Sequence, residues 1–117
     1  MTENLGESTE HFEIPENMTV CYLGLLLRGP TWSPGETAES ERLQEAHMAN
    51  IRKMHELGKL IIAGPLLDDG YLRGIYIFRV GSLEEAHALT ETDPAIQAGR
   101  LIFELHPWLI PKGVFPE

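Results

Sequence analysis

The sequence has little cysteine, few basic residues and no long apolar run. Cys21 is the one cysteine, which excludes an intrachain disulfide. The 9 Lys and Arg residues against 18 Asp and Glu give a formal net charge of −9, so a cationic surface for a phosphate backbone or an anionic bilayer is missing. The longest apolar stretch, Leu23 to Leu27, is far shorter than the roughly 20 residues that cross a bilayer. Nucleic-acid and membrane partners are therefore not expected.

Several motifs of common catalytic sites are also missing. No two histidines stand four residues apart, and the lone cysteine has no partner at metal-ligand spacing, so a zinc site is not expected. The chain has neither a glycine-rich phosphate loop nor a serine in an elbow motif. No N-terminal segment joins a basic start to an apolar stretch, so no secretory signal is predicted and the cytoplasm is the expected compartment.

The chain contains enough apolar residues for one compact domain, with 43% hydrophobic content in 117 residues. Its charge is unevenly distributed. Residues 1–16 hold five glutamates and no Lys or Arg, whereas the other 101 residues carry 13 acids against 9 bases. Because residues 1–16 have too few apolar groups to offset the entropy of ordering them, we predict an acidic tail there and a domain over residues 17–117.

Apolar patterning and capping motifs predict four strands and two main helices. Residues 18–28 are apolar on both faces, which is typical of a central strand. A first helix starts either at Ser33 and Pro34 or at Thr37, and it ends before Gly58, whose lack of a side chain suits a left-handed cap. The other predicted elements are strands at 60–67, 74–80 and 101–106, a helix at 82–91 and a short helical turn at 93–99.

The order strand, helix, strand, strand, helix, strand is the plan of a ferredoxin-like antiparallel sheet, an α+β fold with both helices on one face. The strands nevertheless keep apolar residues on both faces, since Cys21 and Leu23 alternate with Tyr22. An uncovered apolar sheet face exceeds what a monomer usually exposes. The sequence therefore predicts a homodimer in which the two sheets face each other.

One titratable side chain is predicted to point toward the core. At 100° per residue, His47 falls about 40° from Leu43 and so lies within the apolar stripe of the first helix. An unpaired buried polar group costs about 1–3 kcal/mol, so this imidazole needs partners or must stay neutral. By itself the position favours a satisfied core histidine. Asp93 before Pro94 is likewise explained by a helix cap alone.

Several segments carry a resemblance to a known family. The run HMANIRKMHELG from His47 is followed by KLIIAGP, and then, in order, by SLEEA from Ser82, by Asp93-Pro94 with Ala98-Gly99 after it, and by His106-Pro107-Trp108. Together they resemble the YciI-related (YCII) family over roughly residues 18–110, although residues 28–41 are longer than in the shortest members. The resemblance implies a dimeric ferredoxin-like α/β barrel, in agreement with the predicted order of elements.

The resemblance also implies a histidine and an aspartate that line a pocket, and the matching positions are His47 and Asp93. A carboxylate bonded to one ring nitrogen fixes the tautomer and leaves the other nitrogen to exchange a proton. Characterised relatives, a dehydrochlorinase of chlorinated hydroxyquinols and muconolactone-isomerase-like enzymes, imply a lyase or isomerase that acts on a small cyclic oxygenated substrate without metal or organic cofactor. His47 is then the catalytic acid or base, and Asp93 orients it.

Groups that bind the substrate are expected near this pair. Arg28 and the chain at Gly64 and Pro65 are candidates to contact an enolate-like anion, and Arg79 is another if its face of the third strand lines the pocket. Two other functions stay open. One is a dimeric small-molecule-binding module without turnover, in which the pair only satisfies its own hydrogen bonds. The other is haem or oxygen chemistry with His47 as axial ligand, which no further haem-pocket feature supports.

Overall fold

A four-stranded antiparallel sheet carries the helices on one face. The computed structural model describes residues 12–115, with the element order β1 (Met18–Arg28), α1 (Ala38–Glu56), β2 (Leu60–Pro65), β3 (Leu72–Phe78), α2 (Leu83–Thr90), α3 (Pro94–Gln97) and β4 (Leu101–Pro111). The strand order is β2-β3-β1-β4, so the predicted ferredoxin-like α+β fold is confirmed. Of the predicted tail, residues 1–11 lie outside the described residues, and Phe12 and Ile14 are exposed.

Helix α1 begins at the second of its two predicted starts. The Thr37 hydroxyl accepts from the Ser40 backbone N–H at 3.0 Å, and the Ser40 hydroxyl accepts from the Thr37 N–H at 2.9 Å, which completes a capping box. The helix ends at Glu56, with Leu57 as its C-cap. Gly58 follows with a φ of 77°, a conformation that costs glycine no side-chain clash.

Three strands have boundaries that differ from the predicted ones. Strand β2 stops at Pro65 instead of residue 67, and β3 covers residues 72–78 instead of 74–80. Strand β4 continues to Pro111 instead of ending at residue 106, and its pairing with β1 runs without a break through Tyr22 opposite Pro107. Proline is tolerated there because β4 is an edge strand, where a missing N–H need not interrupt the ladder.

The two faces of the sheet carry separate apolar clusters, as the alternation of the strands predicts. Toward the helices, Tyr22, Leu26, Tyr76 and Phe78 pack with Met54 of α1, Ala86 of α2 and Ala95 of α3. On the opposite face, Cys21, Ile77 and Ile110 are buried, and Leu23, Ile61, Ile75 and Phe115 pack against them. Within residues 12–115 no helical residue joins this second cluster, which we call the open face. Trp108 pairs with Cys21 on the open face and is 41% exposed.

The segment after β1 is tied to the segment before β4. The Gly29 N–H donates to the Arg100 carbonyl at 2.8 Å, and the Thr31 N–H donates to the Gly99 carbonyl at 3.0 Å. A Cβ on Gly29 would lie 2.2 Å from the Gly99 carbonyl oxygen, so no larger residue fits without a shift of the backbone. This contact holds Trp32 beside the start of β4.

Candidate functional site

A cavity of about 330 Å³ opens between α1 and the end of the sheet where β1 and β2 finish and β3 and β4 begin. Apolar side chains form most of its wall, among them Leu26, Leu43, Ile51 and Leu101. The polar and aromatic groups at its wall are Trp32, Gln44, His47, Arg73, Tyr76 and Arg100. A mostly apolar pocket with a few convergent polar groups is the usual form of a small-molecule site.

His47 reaches this cavity from α1 and contacts Asp93 on its other side. The distance from His47 Nδ1 to Asp93 Oδ2 is 2.6 Å, and the His47 side chain is 12% exposed. Asp93 is fully buried and is the N-cap of α3, since its Oδ1 accepts from the Ala95 N–H at 2.9 Å. Asp93 therefore caps a helix and binds a histidine at the same time, one function with each oxygen.

Tyr76 is the third member of this group. It stands on β3, and its hydroxyl donates to Asp93 Oδ2 at 2.6 Å. The rings of Tyr76 and His47 lie with centroids 6.2 Å apart and planes 17° from parallel. The sequence does not single out Tyr76, because a strand pattern does not reveal what a buried hydroxyl contacts.

Burial, charge and hydrogen bonding determine which of His47, Asp93 and Tyr76 carry a proton at each contact. Burial alone would raise the pKa of Asp93, but the hydrogen bonds from His47 and Tyr76, the charge of His47 and the Ala95 amide together hold that pKa below its ordinary value. Burial, and then the charge and hydrogen bond of Asp93, raise the pKa of Tyr76 far above its ordinary value. Near neutral pH an ionised Asp93 therefore accepts from a protonated phenol and from His47 Nδ1–H. Nε2 is the ring nitrogen left for other partners.

The predicted substrate-binding residues lie in different places. Gly64 and Pro65 are both at the cavity wall. A Cβ on Gly64 would meet nothing within 4 Å, whereas a Cβ on Gly74 would lie 3.0 Å from the Gly64 carbonyl oxygen, so the close backbone approach requires the glycine at position 74. Arg28 is not among the lining residues. Its Nη2 donates to the Asp69 carbonyl at 2.8 Å.

Arg79 does not line this cavity. Its neighbour Phe78 points toward the helices, so Arg79 lies on the other side of the strand, at a separate cavity beside Cys21 and Lys112. Arg79 was a candidate only if its face of the third strand lined the cavity, and that face does not. Within residues 12–115 no group of three His, Cys, Asp or Glu side chains is arranged to hold a metal ion.

A cluster around Trp32 has no counterpart among the predicted site residues except Arg28. The guanidinium carbons of Arg28, Arg73 and Arg100 lie 5.3, 5.5 and 4.4 Å from the centroid of the Trp32 ring. We call these four residues the arginine cluster. No local motif could reveal it, because its three arginines are far apart in the sequence and only the antiparallel pairing of the strands brings them together.

The fold and the His-Asp-Tyr group define a small α+β domain with a polar centre at the wall of an apolar cavity. The chain belongs to the YCII-related domain family, whose model matches residues 28–108. The family predicted from the sequence motifs is thus confirmed.

Solved structures similar to this chain include one enzyme. It is the 5-chloro-2-hydroxyhydroquinone dehydrochlorinase TftG of Burkholderia phenoliruptrix AC1100, in complex with 2,5-dihydroxybenzoquinone, with a TM-score of 0.54 and 24% sequence identity. The similarity covers 74% of this chain and 92% of that chain, and at this identity it shows the fold alone. A search of curated proteins found no significant match. In residues 12–115 no helix has the length and hydropathy needed to cross a membrane.

Proposed function

We propose that this protein is a cofactor-independent lyase or isomerase that transfers a proton at His47 on a small cyclic oxygenated substrate. The 2.6 Å contact between His47 Nδ1 and Asp93 Oδ2 at the wall of the cavity is the observation that carries this proposal. The cavity of about 330 Å³ falls within the range of small-molecule sites. Because TftG is a dehydrochlorinase of a chlorinated hydroxyquinol, compounds of that class are the first substrates to test.

In this mechanism His47 is the catalytic residue and Asp93 is a positioning residue. Nδ1–H stays bonded to Asp93, and Nε2 takes a proton from the substrate or returns one to it. The ionised Asp93 stabilises the imidazolium that forms when Nε2 is protonated. Tyr76 and the Ala95 amide fix the carboxylate from its remaining sides. Positioned proton transfer of this kind contributes typically 10²–10⁴ in rate.

The two reaction types share the first proton transfer and then diverge. In an isomerisation, Nε2 removes a proton from one atom of the ring system and returns it to another. In a dehydrochlorination, the base takes a hydroxyl proton and returns it to the ring carbon that bears chlorine, which makes that carbon tetrahedral and turns the hydroxyl into a carbonyl. A second hydroxyl then loses its proton to the base and becomes a carbonyl, and chloride leaves the tetrahedral carbon with the electron pair of the C–Cl bond. The sum is loss of HCl, with no oxidant or reductant required. We assign Gly64 and Pro65 to the wall that contacts the ring.

The proposal is tested with purified full-length protein, 5-chloro-2-hydroxyhydroquinone and a chloride-release assay. His47→Gln is expected to lower kcat at least 10²-fold with little change in melting temperature, and added imidazole should restore part of the rate of His47→Ala. The matched control is His87→Gln, because His87 is 54% exposed and lies outside the cavity. Chloride release that is unchanged in His47→Gln would overturn the proposal. Binding without turnover, together with a lower melting temperature in His47→Gln, would favour the non-catalytic binding module.

We also propose that the protein forms a homodimer through the open face. The half-buried Leu23 and Ile75 and the exposed Trp108 and Ile102 leave apolar surface on this face, with no helix of the described residues over it. Glu104 and His106 of β4 are exposed on the same face. Light scattering at micromolar concentration should give twice the chain mass, and Trp108→Glu should shift the mass toward that of one chain. Leu67→Glu is the control, since Leu67 is 99% exposed in the loop between β2 and β3. A single-chain mass for the unmodified protein would contradict the dimer.

A further inference from the structure

We infer that the arginine cluster holds an anionic oxygen group of the substrate, a carboxylate or an ionised phenol, at the cavity of His47. The inference names a substrate class and rests, in its reference to a substrate, on the proposed function. Trp32, Arg73 and Arg100 line the same cavity as His47, and Arg28 lies against the ring of Trp32.

The sheet topology builds the cluster at one place. Arg28 is the last residue of β1, Arg73 is the second residue of β3, and Arg100 directly precedes β4. Because β1 is antiparallel to both neighbours, its end meets the beginnings of β3 and β4. Trp32 is held there by the bonds that tie residues 29–31 to residues 98–100. Two of the guanidiniums therefore come from strand ends, and the third comes from the residue directly before a strand.

The guanidiniums have no carboxylate partner within residues 12–115. Of the ion pairs formed there, none involves Arg28, Arg73 or Arg100. Arg73 Nη1 donates to the Asp68 and Gly70 carbonyls, each at 2.9 Å, so neutral backbone groups orient it. The Nε of Arg28 is buried and lacks a hydrogen-bond partner within the described residues. The Arg100 guanidinium and Arg73 Nη2, both from residues that line the cavity, thus remain available to an anion.

The cavity wall also carries basic side chains without acidic ones. No aspartate or glutamate side chain lines it, although the chain has 18 acids against 9 bases. Three like charges around one ring repel each other, and cation–π contacts with Trp32 compensate only part of this repulsion. A bound anion relieves the repulsion and accepts from the planar guanidinium donors, which match the geometry of a carboxylate.

The test uses nuclear magnetic resonance of the full-length protein, with benzoate as the anionic probe and benzamide as its neutral counterpart. The indole N–H signals of Trp32 and Trp108 are assigned with Trp108→Phe. We expect benzoate to shift the Trp32 signal saturably, with an affinity at least tenfold higher than that of benzamide, and to leave Trp108 on the open face unmoved. Equal affinities for the two probes, or equal shifts of both indoles, would overturn the inference.

Variants then connect the binding to the cluster. Arg100→Gln is expected to weaken benzoate at least tenfold, and Arg100→Lys to weaken it less, because lysine keeps the charge and loses the planar donors. Arg52→Gln, an exposed position on α1, is the control and should bind as the unmodified protein does. If Arg100→Gln does not fold, Arg73→Gln takes its place. Equal benzoate affinity in the cluster variant and in the Arg52 control would overturn the inference.

Two further variants separate this inference from its alternatives. His47→Gln should keep benzoate binding while it loses turnover, so the anion site can stand even where the proposed reaction fails. The carboxylate could also come from the chain itself, since Glu3, Glu7 and Glu10 are acidic and lie outside the described residues. Replacing all three by Gln should change benzoate affinity less than twofold. A tenfold gain would mean that these glutamates occupy the cluster, which would overturn its assignment to a substrate.

Discussion

The Tyr76 hydroxyl donates to Oδ2 of Asp93 at 2.6 Å, and this is the same oxygen that His47 contacts at 2.6 Å. One buried oxygen atom therefore connects the central strand β3 to helix α1. The second oxygen of Asp93 is occupied by the Ala95 amide. Because each oxygen is bonded within the protein, Asp93 is suited to orient His47 and not to react with a ligand itself.

We predict that Tyr76→Phe lowers both stability and the effectiveness of His47. The ring still fills its site, but the buried carboxylate loses a donor, and a hydrogen bond to a charged group is worth about 1.5–3 kcal/mol. Urea unfolding at neutral pH should report a loss of that order in the free energy of unfolding. Tyr71→Phe is the control, since Tyr71 is 57% exposed, and it should stay within about 0.5 kcal/mol. Equal stability of the two variants would contradict the role of the Tyr76 hydroxyl.

Asp93→Asn should change how stability depends on pH. The pKa of Asp93 is lower in the folded protein than in the unfolded chain, so its ionised form adds stability above the ordinary pKa of 3.8. This contribution is lost as the pH falls through 3.8 toward the folded value. The unmodified protein should therefore lose unfolding free energy more steeply below pH 4 than Asp93→Asn does. At pH 7 the variant should be less stable by roughly 1–3 kcal/mol.

The pH dependence of the unfolding free energy is compared between variants, because a second carboxyl group also contributes to it in the same acidic pH range. A hydrogen bond from Lys59 holds the pKa of Glu85 below its ordinary value, so Glu85 also loses an interaction in acid. Unfolding curves from pH 7 to pH 2.5 for Asp93→Asn and for Asp68→Asn, an exposed turn position, remove this common part. Parallel curves for the two variants would rule out the linkage to Asp93.

Gly29→Ala and Gly64→Ala should have opposite effects on stability. The added methyl group at position 29 would lie 2.2 Å from the Gly99 carbonyl oxygen, so the backbone must shift and the link to Trp32 weakens. At position 64 the methyl group meets nothing within 4 Å, and replacing glycine in a strand gains about 0.5–1 kcal/mol. Thermal melting should place Gly29→Ala below the unmodified protein and Gly64→Ala at or above it. The reverse order would contradict the close approach at Gly29.

The rate at which the Cys21 thiol reacts should measure how readily the sheet opens. Cys21 is 3% exposed, and burial raises its pKa, so the reactive thiolate is scarce in the folded chain. We predict that a disulfide reagent labels the native protein slowly and labels the denatured protein at once, with one thiol per chain. Destabilising the sheet by Gly29→Ala should accelerate the native reaction. Rapid labelling of the unmodified native protein would contradict the burial.

The fold follows from local patterns wherever a strand or helix carries its own signal. Strand β1 is apolar on both faces and has the boundaries that this pattern predicts, and Ser82 and Asp93 mark the helix starts by their side-chain chemistry. The predicted end of β4 is wrong because Pro107 resembles a stop signal, although an edge strand continues through it. Sequence pattern identifies a proline but does not state whether its strand lies at an edge.

The site is predicted less completely because its residues are far apart in the sequence. A helical stripe and a cap single out His47 and Asp93, and the family resemblance joins them. Tyr76 has no polar neighbour in the sequence to indicate that its hydroxyl is used. The arginine cluster depends on strand pairing between residues that are tens of positions apart, so its members look like ordinary strand-end arginines until the register is known.

Prolines in both outer strands have a consequence for how the protein behaves at high concentration. Pro65 ends β2, and Pro107 and Pro111 stand in β4. A proline has no N–H with which an incoming strand could pair, so growth of the sheet from either margin is discouraged. Chains that meet at high concentration are therefore not expected to extend the sheet edge to edge into fibrils.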